Sequence, residues 1–446
     1  MAALKRCMQI SMMALLAFAL ESSVAQADDY YVSAANGRGK KATQEQPAKD
    51  LGNIVSKLKP GDTIHIAGGE YLGRGECGTT IITVPVTIIG GYDETFTTRD
   101  PWGEHQTIFS GNNTSDNWQR EPALMLDLSK YREREMPDIV VDGIIVDHAN
   151  RNRYADEDQL QIVRAANPKT GANPTPDQGG LVIRVTRAMG DSIWNITVRN
   201  CVVMNTAGTQ GALSVSGHAE SQITLENNLI INNTGTGIVA SSSYAGSDEN
   251  LRPVFNIANN TVLFTWKYDA SAQSFSGNSL KASDNTIINA SNNVFGFADK
   301  IGVHNASQTP IMLVDNLIIA NILADYLEFD TKMNLDEILD EAEYIHEDSD
   351  GNTSDAKIEV PVSRKWAEAY GSRVLIDRNA VEADIEAQET RANELRSILG
   401  LPLQAGTIDG PDGGVWLCRL SIEDAINAGS SPYLEKFGCR RPDAGE

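Results

Sequence analysis

The sequence predicts an all-β solenoid across residues 28–330, and three observations predict it. The stretch ITLENNLIINN at 223–233 sets two short apolar strands on either side of a pair of asparagines. The same pattern returns at 196–205 (ITVRNCVVMN), 255–265 (FNIANNTVLFT), 288–297 (INASNNVFGF) and 311–321 (IMLVDNLIIAN). Its hinge residues, Asn200, Asn227, Asn259, Asn292 and Asp315, lie 27, 32, 33 and 23 residues apart, and self-similarity at such a period marks units that bury their apolar faces on one another. Composition agrees, since 37 glycines and many asparagines supply turns while an apolar fraction of 41% suffices for a core.

The chain opens with a basic start (Lys5, Arg6), an apolar run at 10–20, and Ala25-Gln26-Ala27 before Asp28. That order is the order of a secretory signal cleaved after Ala27. The apolar run falls short of the roughly 20 residues a membrane span needs, and no later stretch reaches that length, so no integral membrane span is expected. The expected location is secreted, periplasmic or cell-surface. Without residues 1–27 the formal charge changes from −23 to −24, which argues against nucleic acid as a partner. A polyanionic ligand would need a local basic patch or bound Ca²⁺. Four cysteines remain, Cys77, Cys201, Cys418 and Cys439, and the exported compartment permits disulfides. Cys418 and Cys439 form the expected pair, one hairpin-like excursion apart. Cys201 stands where Asn228, Asn260 and Asn293 stand in other repeats, and is read as a small buried residue stacking in line.

From Asp28 onward, YYVS at 30–33 reads as a first strand and PAKDLGNIVSKL at 47–58 as a short amphipathic helix. KPGD at 59–62 turns the chain into a strand at 63–66, and GGEY at 68–71 turns it again. These residues resemble the opening of secreted bacterial right-handed parallel β-helices of the pectate-lyase-like superfamily. VPVTIIGG at 84–91, a TRD sequence and TIFSG at 107–111 resemble a variant in large bacterial surface proteins. The resemblance covers residues 30–330. It implies a right-handed single-stranded parallel β-helix with an N-terminal capping helix, and specifies a fold far better than a reaction.

A tight corner between strands needs a residue near the left-handed region, which Asn and Asp tolerate. Stacked repeats then bring these side chains into a hydrogen-bonded ladder. IVVDGII at 139–145 places Asp142 in the same role 58 residues before Asn200, a gap explained by the inserted loop at 149–179. A long loop in a compact fold is functional or disordered, and this one is read as a lid or rim over the first sheet, with plain surface elaboration as the other reading. The resemblance makes the strands before and after each hinge the second and third sheets. It makes 180–185, 211–216, 237–242, 274–280, 300–305 and 326–330 the first sheet, whose outer face forms the substrate groove in the lyases.

Beyond residue 330 the pattern becomes helical. NLDEILDEAEYIHE at 334–347 has helical spacing, and 379–399 is a stronger helix, with Asn379 capping, Glu382 completing a capping box, and Gly400 and Pro402 ending it. Residues 331–446 are therefore expected to form a mixed, helix-rich C-terminal cap over the exposed sheet edge.

Chemistry on this scaffold is expected on the first sheet. β-Elimination from a uronate needs a cation to neutralise the carboxylate and a base for the C5 proton, yet the chain matches no lyase signature. The basic candidates are Arg184, His218, His304 and Lys281; alternate residues Arg184, Ser214, Ser216, His218 and His304 share a face if they point outward. Histidine near its ordinary pKa serves as a base. Asp348, Asp350, Asn352 and Glu359 follow part of a Ca²⁺-loop spacing, although Thr353 replaces the sixth-position glycine; the other reading is a solvated acidic turn. No GxSxG, HExxH, P-loop or CxxC motif is present. The leading expectation is an extracytoplasmic protein presenting an elongated face to polysaccharide or serving a surface structural role. The alternatives are a polysaccharide lyase or C5 epimerase on uronate chains, and a cell-surface adhesin.

Overall fold

The computed structural model describes residues 27–75, 78–111, 122–133, 136–148, 160–162, 179–187, 193–208, 211–266, 277–355, 358–371, 381–403, 416–431, 434 and 436–443. It is mostly β, with long parallel sheets and few helices. Each repeat contributes to the sheets in turn. Strands preceding the hinges form a nine-stranded second sheet, from Asp29–Val32 and Thr63–Ala67 through Asn195–Arg199, Gln222–Glu226 and Val254–Ala258 to Ile311–Val314. Strands following the hinges, such as Val202–Met204, Thr261–Trp266, Val294–Gly296 and Leu317–Ile319, form the third. Leu181–Arg184, Leu213–Gly217, Asn278–Ala282, Ile301–Asn305 and Ala324–Glu328 belong to the first. Leu229–Ser242 runs through both of the latter and joins them. Every repeat pairs in parallel with the next, so Ile196 faces Ile223 and Ile223 faces Phe255. This alternation sends Val198, Leu225, Val215, Ala240 and Leu280 into one apolar core.

The hinges take the conformation expected of them. Asn200, Asn227, Asn259, Asn292 and Asp315 have φ between 52° and 54°, the left-handed region where a β-carbon is costly. The ladder itself is built by the residue that follows. Asn228 Oδ1 accepts from Cys201 N at 3.0 Å, Asn260 Oδ1 from Asn228 N at 3.0 Å, and Asn293 Oδ1 from Asn260 N at 2.9 Å. Asn316 and Asn352 continue the series. These amides are fully buried at Asn228, Asn260, Asn293 and Asn316, so each satisfies backbone donors that water does not reach. Cys201 ends the ladder as a buried residue.

At the upstream repeat the register shifts the expectation by one residue. Asp142 pairs with Arg199, which puts Gly143, φ 69°, at the hinge. A side chain there would meet the Arg99 guanidinium at 2.6 Å, so glycine takes the corner. Asp142 is instead a buried carboxylate accepting from Arg99 (3.0 Å), Arg199 (2.8 Å) and Asn200 Nδ2 (3.0 Å). The strands at Ile139–Asp142 and Asn195–Arg199 pair directly, so the wide spacing is one insertion. Of that insertion, Leu160–Ile162 pairs antiparallel with Trp416–Cys418, which ties it to the C-terminal segment; residues 149–159 and 163–178 of the expected lid lie outside the described residues.

Several helices depart from expectation. The capping helix at 47–58 consists of two 3₁₀ turns, Leu51–Asn53 and Val55–Lys57. Asp50 caps the first by accepting from Asn53 N. In 334–347 only Ile338–Glu341 is helical. Three isolated parallel bridges separated by turns take its place, Ile311 with Ile345, Val314 with Asp350 and Leu317 with Thr353: Ile311 N donates to Tyr344 O, Asp350 N to Leu313 O and Thr353 N to Asn316 O. Thr331–Met333 turns back antiparallel on Ala324–Glu328. The last sheet edges are thus closed by chain, not by a helical cap, because backbone satisfies an open edge one bond at a time.

The helices at Arg364–Gly371, Glu382–Ile398 and Ile422–Gly429 lie instead along the third sheet. Trp366, Tyr370, Leu395, Ile426 and Leu434 share a second apolar cluster with Leu229, Ile231, Leu263, Val294 and Leu317. The Glu382–Ile398 helix begins with Val381 as N-cap and no side-chain capping bond, so Glu382 is its first residue and not the third; Asn379 lies outside the described residues. Two asparagines fasten this cover by imitating backbone. Asn205 Nδ2 donates to Leu420 O and its Oδ1 accepts from Leu420 N; Asn227 does the same with Arg440. Replacing Asn227 with Ala removes that pair and leaves a β-carbon residue at φ 53°, so a loss of about 1–2 kcal/mol is expected by urea unfolding. Asn227→Gly keeps the corner and should lose less.

Candidate functional site

Outward positions on the first sheet fall into two neighbouring columns. Successive pairings place Val182, Ser214, Val239, Lys281, His304 and Leu327 in one. Asp127, Arg184, Ser216 and Ser241 form the other. The structure therefore brings together two of the four basic candidates. Lys281 and His304 are direct cross-strand neighbours. Arg184 sits in the other column three strands away, roughly 14 Å at normal strand spacing. His218 lies just past Leu213–Gly217, its ring edge-on to Tyr244 at 6.0 Å, where partial burial and then Arg187 lower its pKa.

Around Lys281 and His304 is a recess of about 300 Å³, completed by Asn305, Ala306, Gln308 and Phe329. The His304 side chain is almost wholly buried, at 6% exposure for the residue, and its Nδ1 has no hydrogen-bond partner. Burial pushes the imidazole down to about 4, with the Lys281 charge adding to the effect. At neutral pH this ring is uncharged. Burial also lowers the Lys281 ammonium, opposed by Asp284. Asn305 is held by Thr309 O and the Tyr326 hydroxyl, while Phe329 leaves 45% of its surface exposed at φ 53° in the turn before Thr331–Met333. The site combines an amine, a neutral imidazole whose Nδ1 is buried, amides and an open aromatic ring. Asn305, Gln308 and Phe329 were not among the expected site residues. Phe329 carries the one signal that could have marked it, an aromatic residue where a turn ordinarily takes a polar one.

Larger cavities do not offer the same chemistry. One of about 1040 Å³ lies between the last strands and the Glu382–Ile398 helix. Its buried Asp325 is engaged by Arg391 at 2.9 Å and by Leu335 N. Another, about 840 Å³, is lined by Pro60, Thr83, Val84, Lys130, Tyr131, Arg132 and Glu133, and its charged side chains Lys130, Arg132 and Glu133 are all exposed.

The four expected Ca²⁺ ligands are not gathered. Asn352 Oδ1 accepts from Asn316 and its Nδ2 donates to Leu313 O, which spends the side chain on the ladder. Asp348 lies 3.5 Å from His346, Asp350 joins the edge through its backbone, and Glu359 accepts at its carbonyl from the Ser431 hydroxyl. Among the described residues no group of three His, Cys, Asp or Glu is placed to hold a metal ion. Cys439 is a free buried thiol donating to Gly429 O at 3.4 Å, with burial pushing it up to about 12. The expected Cys418–Cys439 bond is thus not formed. Cys418 contributes backbone pairing with Leu160; its side chain and Cys77 lie outside the described residues. Among the described residues no helix is long and apolar enough to cross a membrane.

No family model and no curated protein matches this chain. Two solved structures align at 10% identity. The GH136 lacto-N-biosidase from Eubacterium ramulus aligns over 74% of this chain and 67% of its own, with a TM-score of 0.21. A rhamnogalacturonan lyase aligns over 75% and 90%, also at 0.21. Likeness at that level says nothing about chemistry here.

Proposed function

We propose that this chain is an exported right-handed parallel β-helix whose first sheet binds polysaccharide along its outer face, anchored at the Lys281–His304 recess. The observation that carries the reading is the recess itself. It sets an amine, an amide and an open aromatic ring around one concavity on the outer face of the sheet. An acidic substituent would meet Lys281, a sugar hydroxyl would meet the Gln308 amide, and Phe329 would cover the apolar face of the sugar ring. Lys281 also gives a strongly acidic protein a local cation on this face.

Calorimetric titration with neutral and uronate-containing oligosaccharides tests it. Lys281→Met should weaken binding of an acidic oligosaccharide about tenfold or more, the effect of losing one charge-assisted contact of ~1.5–3 kcal/mol. Absence of binding to both classes at millimolar ligand would end this reading. A second reading, elimination or C5 epimerisation on a uronate chain, draws on the pairing of Lys281 with His304, the amine to neutralise the carboxylate and the imidazole to accept the C5 proton. Ultraviolet absorbance of an unsaturated product tests the first reaction, and uronate composition by NMR the second.

A further inference from the structure

We propose that a second concavity beside the recess, between residues 242–247 and the turn at Asp284 and Asn285, holds the uncharged sugar next to the acidic unit at Lys281, so that the sheet selects a polysaccharide of mixed acidic and uncharged units over one that is uronate throughout. The inference rests on the carbohydrate reading and extends it along the same strand.

Surplus chain is the first support. Leu229–Ser242 is joined to Val254–Ala258 by the eleven residues 243–253, whereas the repeat before it and the two after it make the same corner in four, four and five, at 218–221, 283–286 and 306–310. Loop beyond what a corner needs, set beside a rigid sheet, is where binding residues gather. This one is folded back on the exit of the next strand. Asn285 Nδ2 donates to Gly246 O at 3.0 Å, Asn285 Oδ1 accepts from Arg252 Nε at 2.6 Å, and Tyr244 N donates to Ser242 Oγ at 2.9 Å. Together they bound an open concavity of about 560 Å³ whose lining includes Ser242, Tyr244, Ser247, Asp284 and Asn285. It occupies the interval between the ends of Leu229–Ser242 and Asn278–Ala282, and the Lys281 recess occupies the next interval, toward Ile301–Asn305.

The second support is the chemistry of the lining. Tyr244 is half-buried, with His218 edge-on to its ring at 6.0 Å and its hydroxyl lying across Gly246, where a β-carbon would come within 2.2 Å of the hydroxyl oxygen. Asp284 and Asn285 are consecutive left-handed residues, at φ 59° and 64°, a pair that backbone alone disfavours. The bonds to Asn285 hold this turn and leave the Asp284 carboxylate exposed. An aromatic ring for the apolar face of a sugar, with hydroxyls and a carboxylate for its hydroxyl groups, suits a saccharide unit, and the carboxylate repels a uronate at the same place. Asp284 follows Lys281 by three residues, at most about 11 Å along the backbone. Burial is the larger influence on the Lys281 ammonium and the Asp284 charge the next, so the two groups lie within electrostatic reach. One saccharide chain therefore meets a cation and an anion in successive positions, a pattern that a uniform polyuronate does not match.

The test titrates the full chain, at one salt concentration, with hexasaccharides of hyaluronan and unsulfated chondroitin, which alternate a uronate with an uncharged sugar, and with oligogalacturonate, which is uronate throughout. The better bound of the two mixed hexasaccharides is expected to bind about tenfold tighter than oligogalacturonate. Tyr244→Ala should weaken the mixed ligand about tenfold and leave oligogalacturonate unchanged. Gly246→Ala, which displaces the tyrosine without removing it, should act in the same direction. Asp284→Asn should narrow the preference by admitting a second carboxylate, and Lys281→Met should weaken every probe. Far-ultraviolet circular dichroism confirms that the variants fold. Oligogalacturonate bound as tightly as the mixed ligands, or mixed-ligand binding indifferent to Tyr244→Ala, would overturn the proposal and leave the carbohydrate reading in place. Binding of none of the three would overturn both.

Discussion

A chain ending at residue 353 is expected to keep its sheets and lose its solubility. Truncation there retains residues 344–353, whose bridges and backbone hydrogen bonds close the last edges, so the parallel pairing has no reason to unravel. It removes Trp366, Tyr370, Leu395, Ile426 and Leu434, which cover Leu229, Ile231, Leu263, Val294 and Leu317. Each large apolar side chain fully buried contributes ~1.5–3 kcal/mol, so the cover as a whole is worth on the order of 10 kcal/mol, an upper value because the unfolded chain is itself partly collapsed. The third sheet left behind presents a continuous apolar face, the kind of surface that associates. Light scattering should rise and a hydrophobic dye should bind, with the β signature in circular dichroism preserved. A truncated protein that stays monomeric and dye-silent would show that the helices merely decorate the sheet. The single substitution Ile426→Asp separates the two effects, since it lifts one helix by burying an unpaired charge and leaves the rest of the cover attached.

The contrast between hinge and cover explains what sequence made legible. Asn227 could be placed at a corner because left-handed backbone restricts residue type locally, with no knowledge of the partner. Asp142 was misplaced by one residue because glycine meets the same restriction, and only the pairing of Asp142 with Arg199 shows that Gly143 occupies the hinge. Helical spacing in 379–399 says which face is apolar, but not whether that face meets a sheet end or a sheet surface. The third-sheet residues Leu229 and Leu263 held that answer, since they are apolar at positions that point away from the first core and so require a second covering layer. Half of the recess was written in the spacing: Lys281 and His304 are 23 residues apart, as are Asn292 and Asp315, so both pairs advance by one repeat. The other half, Asn305, Gln308 and Phe329, comes from a loop and a reversal whose path no periodicity describes.

Acid is expected to weaken the fold through His304 in a window below neutral. The unfolded chain titrates this imidazole at its ordinary 6.5, whereas burial beside Lys281 holds it at about 4 in the folded protein. Between those values the unfolded state binds more protons, so stability rises with pH across the window. It is fully present above about 6.5, is lost as pH falls toward 4, and changes no further below that through this group. The interval corresponds to about 3 kcal/mol. Urea unfolding of the wild type and His304→Gln at pH 7.5, 5.5 and 4.5 isolates it, because carboxylates elsewhere titrate alike in both proteins. The wild type should lose about 2 kcal/mol more than the variant between pH 7.5 and 4.5. Equal losses would mean that the ring is hydrated and titrates normally, and the unpartnered Nδ1 would then have ordinary water for company. A difference of the expected sign would establish that the imidazole is neutral and shielded from water beside Lys281 in the folded protein.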